Sequence, residues 1–149
     1  MTLAELIAAF AALAPAFSNA TPATIGRALD VPFDLTSQTE WAEVWQALGT
    51  SPVTDWELRL PRPGAAFGPL LIAELVAPGI DAAELDPLLA DWPVEDIDVV
   101  SPPLDGGADW VPLHSSCHTL PDASLCVTWQ GFDPAQAIAL SLEADAEGE

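Results

Sequence analysis

The residues best suited to metal binding or nucleophilic catalysis lie in one short segment of the sequence. Every histidine and cysteine of the chain falls there, and these four residues are His114, Cys117, His118 and Cys126. Two imidazoles and two thiolates form a tetrahedral ligand set that zinc favours. A histidine close to a cysteine is also the arrangement that activates a thiol nucleophile. The segment therefore suggests two hypotheses, a zinc site and a small thiol enzyme.

The spacing of these four residues argues against both hypotheses, because it predicts a β-hairpin. A proline–aspartate turn stands midway between the cysteines, which places Cys117 opposite Cys126 on one face of the hairpin. Alternation then places His114 and His118 on the other face, out of reach of the same ion or the same thiol. We therefore expect a cross-strand cysteine pair, with no metal, no cofactor and no catalytic residue. Whether this pair forms a disulfide depends on the compartment, and the cytoplasmic location that we predict favours free, mostly buried thiols.

The charge balance restricts the classes of partner. The net charge of −20 comes from 23 acidic residues against three arginines, and the chain has no lysine. After Arg62 the sequence contains 16 acidic residues and no basic one. Such a surface repels phosphate backbones and anionic lipids and attracts cationic surfaces. We therefore expect a basic protein partner, and neither nucleic acid nor a membrane.

The acidic residues are densest between Asp81 and Asp109, where Trp92 stands among them and Trp110 follows directly. Charge steers the approach of a basic partner, and tryptophan supplies buried contact area once it has docked. The alternative interpretation is a solvated acidic face whose tryptophans belong to the core, and the sequence does not decide between the two. The predicted partner-binding residues are Asp81, Glu84, Asp86, Asp91, Trp92, Glu95, Asp96, Asp98, Asp105, Asp109 and Trp110.

Four segments carry helix start signals and apolar residues at helical spacing. Capping-box spacing begins three of them, at Thr2, Ser37 and Asp81, and Thr21 begins the fourth before a proline. The third helix is predicted from its apolar face and ends at Gly49; its face consists of Trp41, Val44, Trp45 and Leu48. Four tryptophans are expected in the core because they lie on apolar faces: Trp41, Trp45, Trp56 and Trp129.

Alternating apolar and polar residues predict strands in the rest of the chain. The expected strands lie at 56–60, 70–76, 97–99, 110–113, 125–129 and, with a helix as the alternative, 138–142. The predicted fold class is α+β, with helices packed on one face of a mostly antiparallel sheet of about five strands. We expect one domain over residues 1–149, with a frayed acidic tail at 143–149.

These features together predict a non-catalytic binding protein. Small acidic domains without a catalytic motif can neutralise a basic partner by covering its active cleft, as immunity proteins do for bacterial toxins. That role is the leading hypothesis. A small acidic secretion chaperone or adaptor is the second, and a small enzyme or metal protein that uses His114–Cys126 is the third.

Overall fold

The fold is a mixed α+β structure in which strands predominate. The computed structural model describes residues 1–100, 113–131 and 135–144, with the backbone alone described for 95–100. Within these ranges the chain forms one continuous sheet together with three α-helices and a short 3₁₀ helix. The helical segments are α1 (Leu3–Leu13), the 3₁₀ helix (Ala14–Asn19), α2 (Pro22–Leu29) and α3 (Ala82–Leu89).

Nine strands build the sheet in the described part of the chain, and all of their pairings are antiparallel. The order is β1-β2-β3-β4-β9-β8-β7-β6, and the two-residue β5 pairs with β9 beside this path. The strands are β1 (Asp34–Gln38), β2 (Ala42–Leu48), β3 (Val53–Pro61), β4 (Leu70–Leu75), β5 (Ile80–Asp81), β6 (Val94–Val100), β7 (Leu113–Leu120), β8 (Ala123–Gln130) and β9 (Gln136–Ala144).

The prediction of about five strands is too low. The sequence does not reveal β1, since its five residues are all exposed and carry no alternating pattern, and β5 is too short to show a pattern. β9 confirms the strand expected at 138–142 and continues through Ala144, two residues into the segment predicted to fray. Residues 145–149 lie outside the described ranges.

The strand order contains the same unit twice. Strands β1 to β4 form one meander and β6 to β9 form another, and each meander follows a helical segment. The last strands of the two meanders, β4 and β9, pair at the centre of the sheet. The structure therefore repeats a helix-and-four-strand unit, although the sequence shows no repeat.

The helix starts predicted at Thr2 and Thr21 are confirmed. The Thr2 hydroxyl accepts from the Glu5 backbone N–H (3.0 Å), and the Glu5 carboxylate accepts from the Thr2 N–H (2.7 Å). Thr21 and Thr24 make the same exchange at α2. Each exchange satisfies two donors that have no partner within the helix. The hydrogen bond from Thr2 lowers the pKa of the exposed Glu5 carboxyl below its ordinary value, so this cap persists at neutral pH and weakens as the pH falls through the lowered pKa.

The helix predicted to end at Gly49 is wrong, because residues 42–48 form strand β2. Thr39 organises the preceding turn: its hydroxyl accepts from the backbone N–H groups of Trp41 (3.2 Å) and Ala42 (3.1 Å). The side chain of Trp41 is 52% exposed and that of Leu48 is 80% exposed. The prediction that Trp41 belongs to the core is therefore also wrong.

Pairing across the sheet explains why β2 is a strand. Trp45 lies opposite Leu58, and Ala47 lies opposite Trp56, and these residues contribute to the core cluster. Strand pairing with both β1 and β3 satisfies the β2 backbone, and branched and aromatic residues pack well on a pleated surface. The three- and four-residue apolar spacing is thus overridden by tertiary pairing.

One apolar cluster contains residues of the helices and of the sheet. The Phe10 ring of α1 lies 6.0 Å, centre to centre, from the Trp56 ring of β3. Within the sheet, burial alternates along the strands, as in β8, so that one face is buried and the other is half-buried or exposed. We call the second face the open face; it carries Gln46, Glu57 and Ile72.

Gly79 allows the chain to turn from β4 into α3. Its φ is +115°, a conformation that residues other than glycine rarely adopt. A Cβ at this position would lie 2.6 Å from the carbonyl oxygen of Ala137. This close approach lets β5 pair with β9 and thereby fixes where α3 begins.

In the described ranges, the helices are too short or too polar for a membrane span.

Matched leucine substitutions test the strand assignment of residues 42–48. Leu58→Ala removes a fully buried side chain and should lower the free energy of unfolding by about 2 to 5 kcal/mol. Leu48→Ala, on the neighbouring strand, should change it by less than about 0.5 kcal/mol because that side chain is in solvent. Urea denaturation measures both. A loss for Leu48→Ala as large as that for Leu58→Ala would support the helix instead.

Candidate functional site

The hairpin predicted from the proline–aspartate turn is present. β7 and β8 pair around that turn, and Cys117 lies directly opposite Cys126. Asp122 adopts a left-handed conformation (φ 65°) in the turn, which aspartate tolerates better than most residues. The two sulfurs form a disulfide, which is the alternative that the sequence left open and not the pair of free thiols expected for a cytoplasmic location. Both cysteines are half-buried and lie on the open face, where Cys126 pairs with Ser141.

The two histidines lie on the opposite face of the hairpin, as expected. His118 pairs with Leu125 and His114 pairs with Trp129, both of which are core residues. The Nδ1 atom of the buried His118 donates a hydrogen bond to the carbonyl oxygen of Trp92 (3.1 Å). The His114 ring stacks against Trp129, with 6.4 Å between ring centres. His118 therefore links the hairpin to the segment before β6, whereas His114 packs within the hairpin.

The disulfide removes the thiolates that the zinc and thiol-enzyme hypotheses require. A thiolate is the form of cysteine that binds metal or attacks a substrate, and each sulfur is here bonded to the other. Among the side chains that the structure describes, those of residues 1–94, 113–131 and 135–144, no three of the metal-binding types are close enough to hold an ion. The four sulfur and nitrogen ligands also belong to two different faces of the sheet.

The acidic residues on and beside α3 point into solvent. Asp81, Glu84, Asp86 and Asp91 are all exposed. The opposite side of α3 is fixed in the core by two buried leucines, Leu85 and Leu89. The carboxylates of α3 are therefore exposed on a helix whose opposite side is held in the core.

The capping box predicted at Asp81 is not formed. Asp81 occupies the N-cap position but makes no hydrogen bond to the first turn of α3. Its carboxylate instead accepts from the side-chain amide of Gln136 (2.7 Å), the residue opposite it in the β5–β9 pairing. The capping box does not form because the Asp81 carboxylate bonds to Gln136 of β9 instead of to the first turn of α3.

The remaining predicted partner-binding residues fall into three groups. Trp92 is half-buried and packs against the core cluster, in agreement with the alternative that assigns tryptophan to the core. Three acidic residues belong to β6, the last strand in the order, where Asp96 pairs with Cys117 and Asp98 with Ser115; the third is Glu95. The predicted residues outside the described ranges are Asp105, Asp109 and Trp110.

Residues of α3 and of the β7–β8 hairpin line one small cavity. It has a volume of about 260 Å³, and its lining includes Asp86 of α3 with His114, Ser116 and His118 of β7. The Ser116 hydroxyl accepts from the indole N–H of Trp129 (2.9 Å). A carboxylate, a hydroxyl and two imidazoles at one cavity suit a ligand side chain that donates hydrogen bonds. The sequence does not predict this cavity, because no local pattern indicates that Asp86 of α3 and residues of β7 line the same space.

The disulfide is tested by counting thiols and measuring stability. Protein purified and unfolded without reductant should react with no equivalent of a thiol-specific dye. Reduction should lower the free energy of unfolding by about 2 to 3 kcal/mol, the loop-closure contribution expected for a sequence separation of 9. The double variant Cys117→Ser, Cys126→Ser should match the reduced protein and not respond to reductant. Two reactive thiols per chain would contradict the assignment.

Comparison with known protein families, curated proteins and solved structures finds no significant match.

Proposed function

We propose that this chain is a non-catalytic acidic protein that neutralises a basic protein by covering its active cleft, in the manner of an immunity protein for a bacterial toxin. The observation that carries the proposal is the exposed set of four carboxylates on and beside α3, together with the absence of any basic residue after Arg62. A cationic cleft is the complement of such a surface.

Electrostatic steering supports this role. Exposed charges act over about 10 Å at 0.1 M salt, so a concentrated acidic surface captures a basic partner before contacts form. Few carboxylates of this chain can be neutralised internally, because the whole sequence has only three arginines and no lysine. A basic partner therefore relieves repulsion among the carboxylates as it binds.

The cavity beside Asp86 supplies a place for one basic side chain of the partner. An arginine or lysine that enters it would meet the Asp86 carboxylate and the Ser116 hydroxyl, and charge-assisted hydrogen bonds are stronger than neutral ones. The buried side of α3 keeps Asp86 in place during binding. Long-range charge would thus attract the partner first, and one of its basic side chains would then bind in this cavity.

The proposal includes the finer architecture expected from the sequence, with the helices covering one face of the sheet. The Phe10–Trp56 contact and the shared apolar cluster support it. Such an arrangement leaves the open face available to a partner.

The disulfide bears on where neutralisation takes place. Disulfides persist in oxidising compartments and are rare in the cytosol. The cytoplasmic location expected from the sequence would require Cys117 and Cys126 to be reduced there. We propose instead that the protein acts in a compartment where the pair stays oxidised.

A secretion chaperone or adaptor is the second candidate, and the exposed apolar side chains favour it. Leu48, Trp41 and Phe67 are each close to half exposed or more, and such residues often mark a surface for a client or a second copy. A stable dimer in analytical ultracentrifugation at moderate salt would favour this candidate over the first.

Association kinetics test the leading proposal. The partner is captured from an extract of the source organism at low salt and eluted with a salt gradient, and its activity is then titrated with the protein. We expect complete inhibition at a 1:1 ratio and an association rate that falls steeply with salt. Asp86→Lys should slow association about tenfold at low salt.

The control for Asp86→Lys is Glu40→Lys, which makes the same charge change at an exposed turn between β1 and β2. We expect a change of less than about threefold, because the turn lies outside the proposed surface and contributes only to the general field. Equal effects of the two substitutions, or an association rate independent of salt, would refute the proposal.

A further inference from the structure

We propose that the open face of β2, β3 and β4 is a second docking surface, which takes a segment of the partner that carries lysine or arginine beside aliphatic residues. The proposal rests on the proposed function for the basic character of the partner. Its site, however, consists of residues that are separate from α3, and the two can be tested independently.

Two adjoining grooves form this surface. The first has a volume of about 620 Å³ and contains four carboxylates together with the apolar side chains of Leu48 and Ile72; the carboxylates belong to Asp34, Asp55, Glu57 and Glu74. The second has a volume of about 460 Å³ and is lined mainly by apolar residues, among them Val44, Phe67 and Leu70, with Glu143 at its side. Each groove thus combines apolar contact area with negative charge.

An ion pair separates the two grooves. Arg59 and Glu57 line both of them and bond to each other through the guanidinium and the carboxylate. The Glu57 carboxylate also accepts from the side-chain amide of Gln46 (3.3 Å). The arginine is therefore occupied by its neighbour on the same strand, and the other carboxylates of the grooves keep their charge for an incoming cation.

Charge decides which occupant fits. The described residues that line the grooves carry five carboxylates and one guanidinium, so the grooves have a net negative charge. A second copy of the chain would bring another surface of the same sign, within a molecule of net charge −20, and like charges across an interface oppose association. A basic segment is attracted instead.

Exposed apolar side chains in the grooves add a hydrophobic contribution to the binding of a basic segment. Leu48 is 80% exposed and Phe67 is 46% exposed, and they lie in the first and second groove respectively. Covering them removes apolar surface from water. The long side chains of lysine and arginine can lie along such surface while their charged ends reach the carboxylates.

Two amidated, fluorescent octapeptides of equal charge test this surface. One alternates lysine and arginine with leucine and valine, and the other replaces the leucine and valine with serine and threonine. Fluorescence anisotropy at 50 mM salt should show the first peptide binding at least about tenfold more tightly to the wild-type protein. The double variant Leu48→Gln, Phe67→Gln should bind the two peptides within about twofold of each other.

Two controls accompany the double variant. Val76→Gln changes an apolar side chain that is 39% exposed directly after β4, outside both grooves and the cavity beside Asp86, and should keep the tenfold preference. Glu40→Lys should also keep it, since that exposed residue lies in the turn between β1 and β2 and lines neither groove. Circular dichroism confirms that each variant is folded.

Four outcomes would overturn the inference. Equal binding of both peptides to the wild type would mean that charge alone drives binding. That result would refute the docking surface and leave the proposed function unaffected. A preference that survives in the double variant would place recognition elsewhere. A dimer that dissociates on Leu48→Gln, measured by sedimentation, would assign the face to a second copy. Binding of neither peptide would refute the docking surface, whereas the proposed function is decided separately by the inhibition titration and the salt dependence of association.

Discussion

β4 and β9 pair at the centre of the sheet, and every other strand is ordered outward from them. Their pairing places Leu71 opposite Leu142 and Ala73 opposite Leu140, and all four side chains are buried. It also joins the two meanders, which are far apart in sequence, into one surface. Because side chains alternate along each strand, this single register decides which residues of both meanders enter the core and which lie on the open face.

The distribution of charge follows from that separation of faces. On the open face of the first meander, carboxylates stand beside apolar side chains, whereas on α3 the carboxylates point into solvent from a helix held by buried leucines. Both surfaces are acidic mainly because the chain lacks bases rather than because it has unusually many acids: 23 acidic residues face three arginines. A basic partner would find two separate acidic surfaces, one with a cavity at Asp86 and one with apolar grooves.

Local signals predicted much of the structure where the interacting residues are close in sequence. The caps at Thr2 and Thr21 are confirmed because each involves only a residue three positions away. The β7–β8 hairpin is confirmed because its turn residues and the alternation of its strands agree. The helix predicted to start with the capping box at Ser37 and to end at Gly49 is wrong, because its apolar spacing fits a helix only locally and residues 42–48 pair with β1 and β3. The cavity between α3 and β7 joins residues about thirty positions apart and leaves no trace in the sequence.

The sequence by itself determined the net charge, the helix caps at Thr2 and Thr21 and the position of Cys117 opposite Cys126. Each of these depends on residue types or on neighbours within one turn or one hairpin. The tertiary structure alone decided that residues 42–48 form a strand, that Trp41 and Leu48 are exposed, that the cysteines are bonded, and that Asp86 lies beside the histidines of β7. The physical reason is that burial and strand pairing are properties of contacts between distant segments, which outweigh local propensity wherever the two disagree.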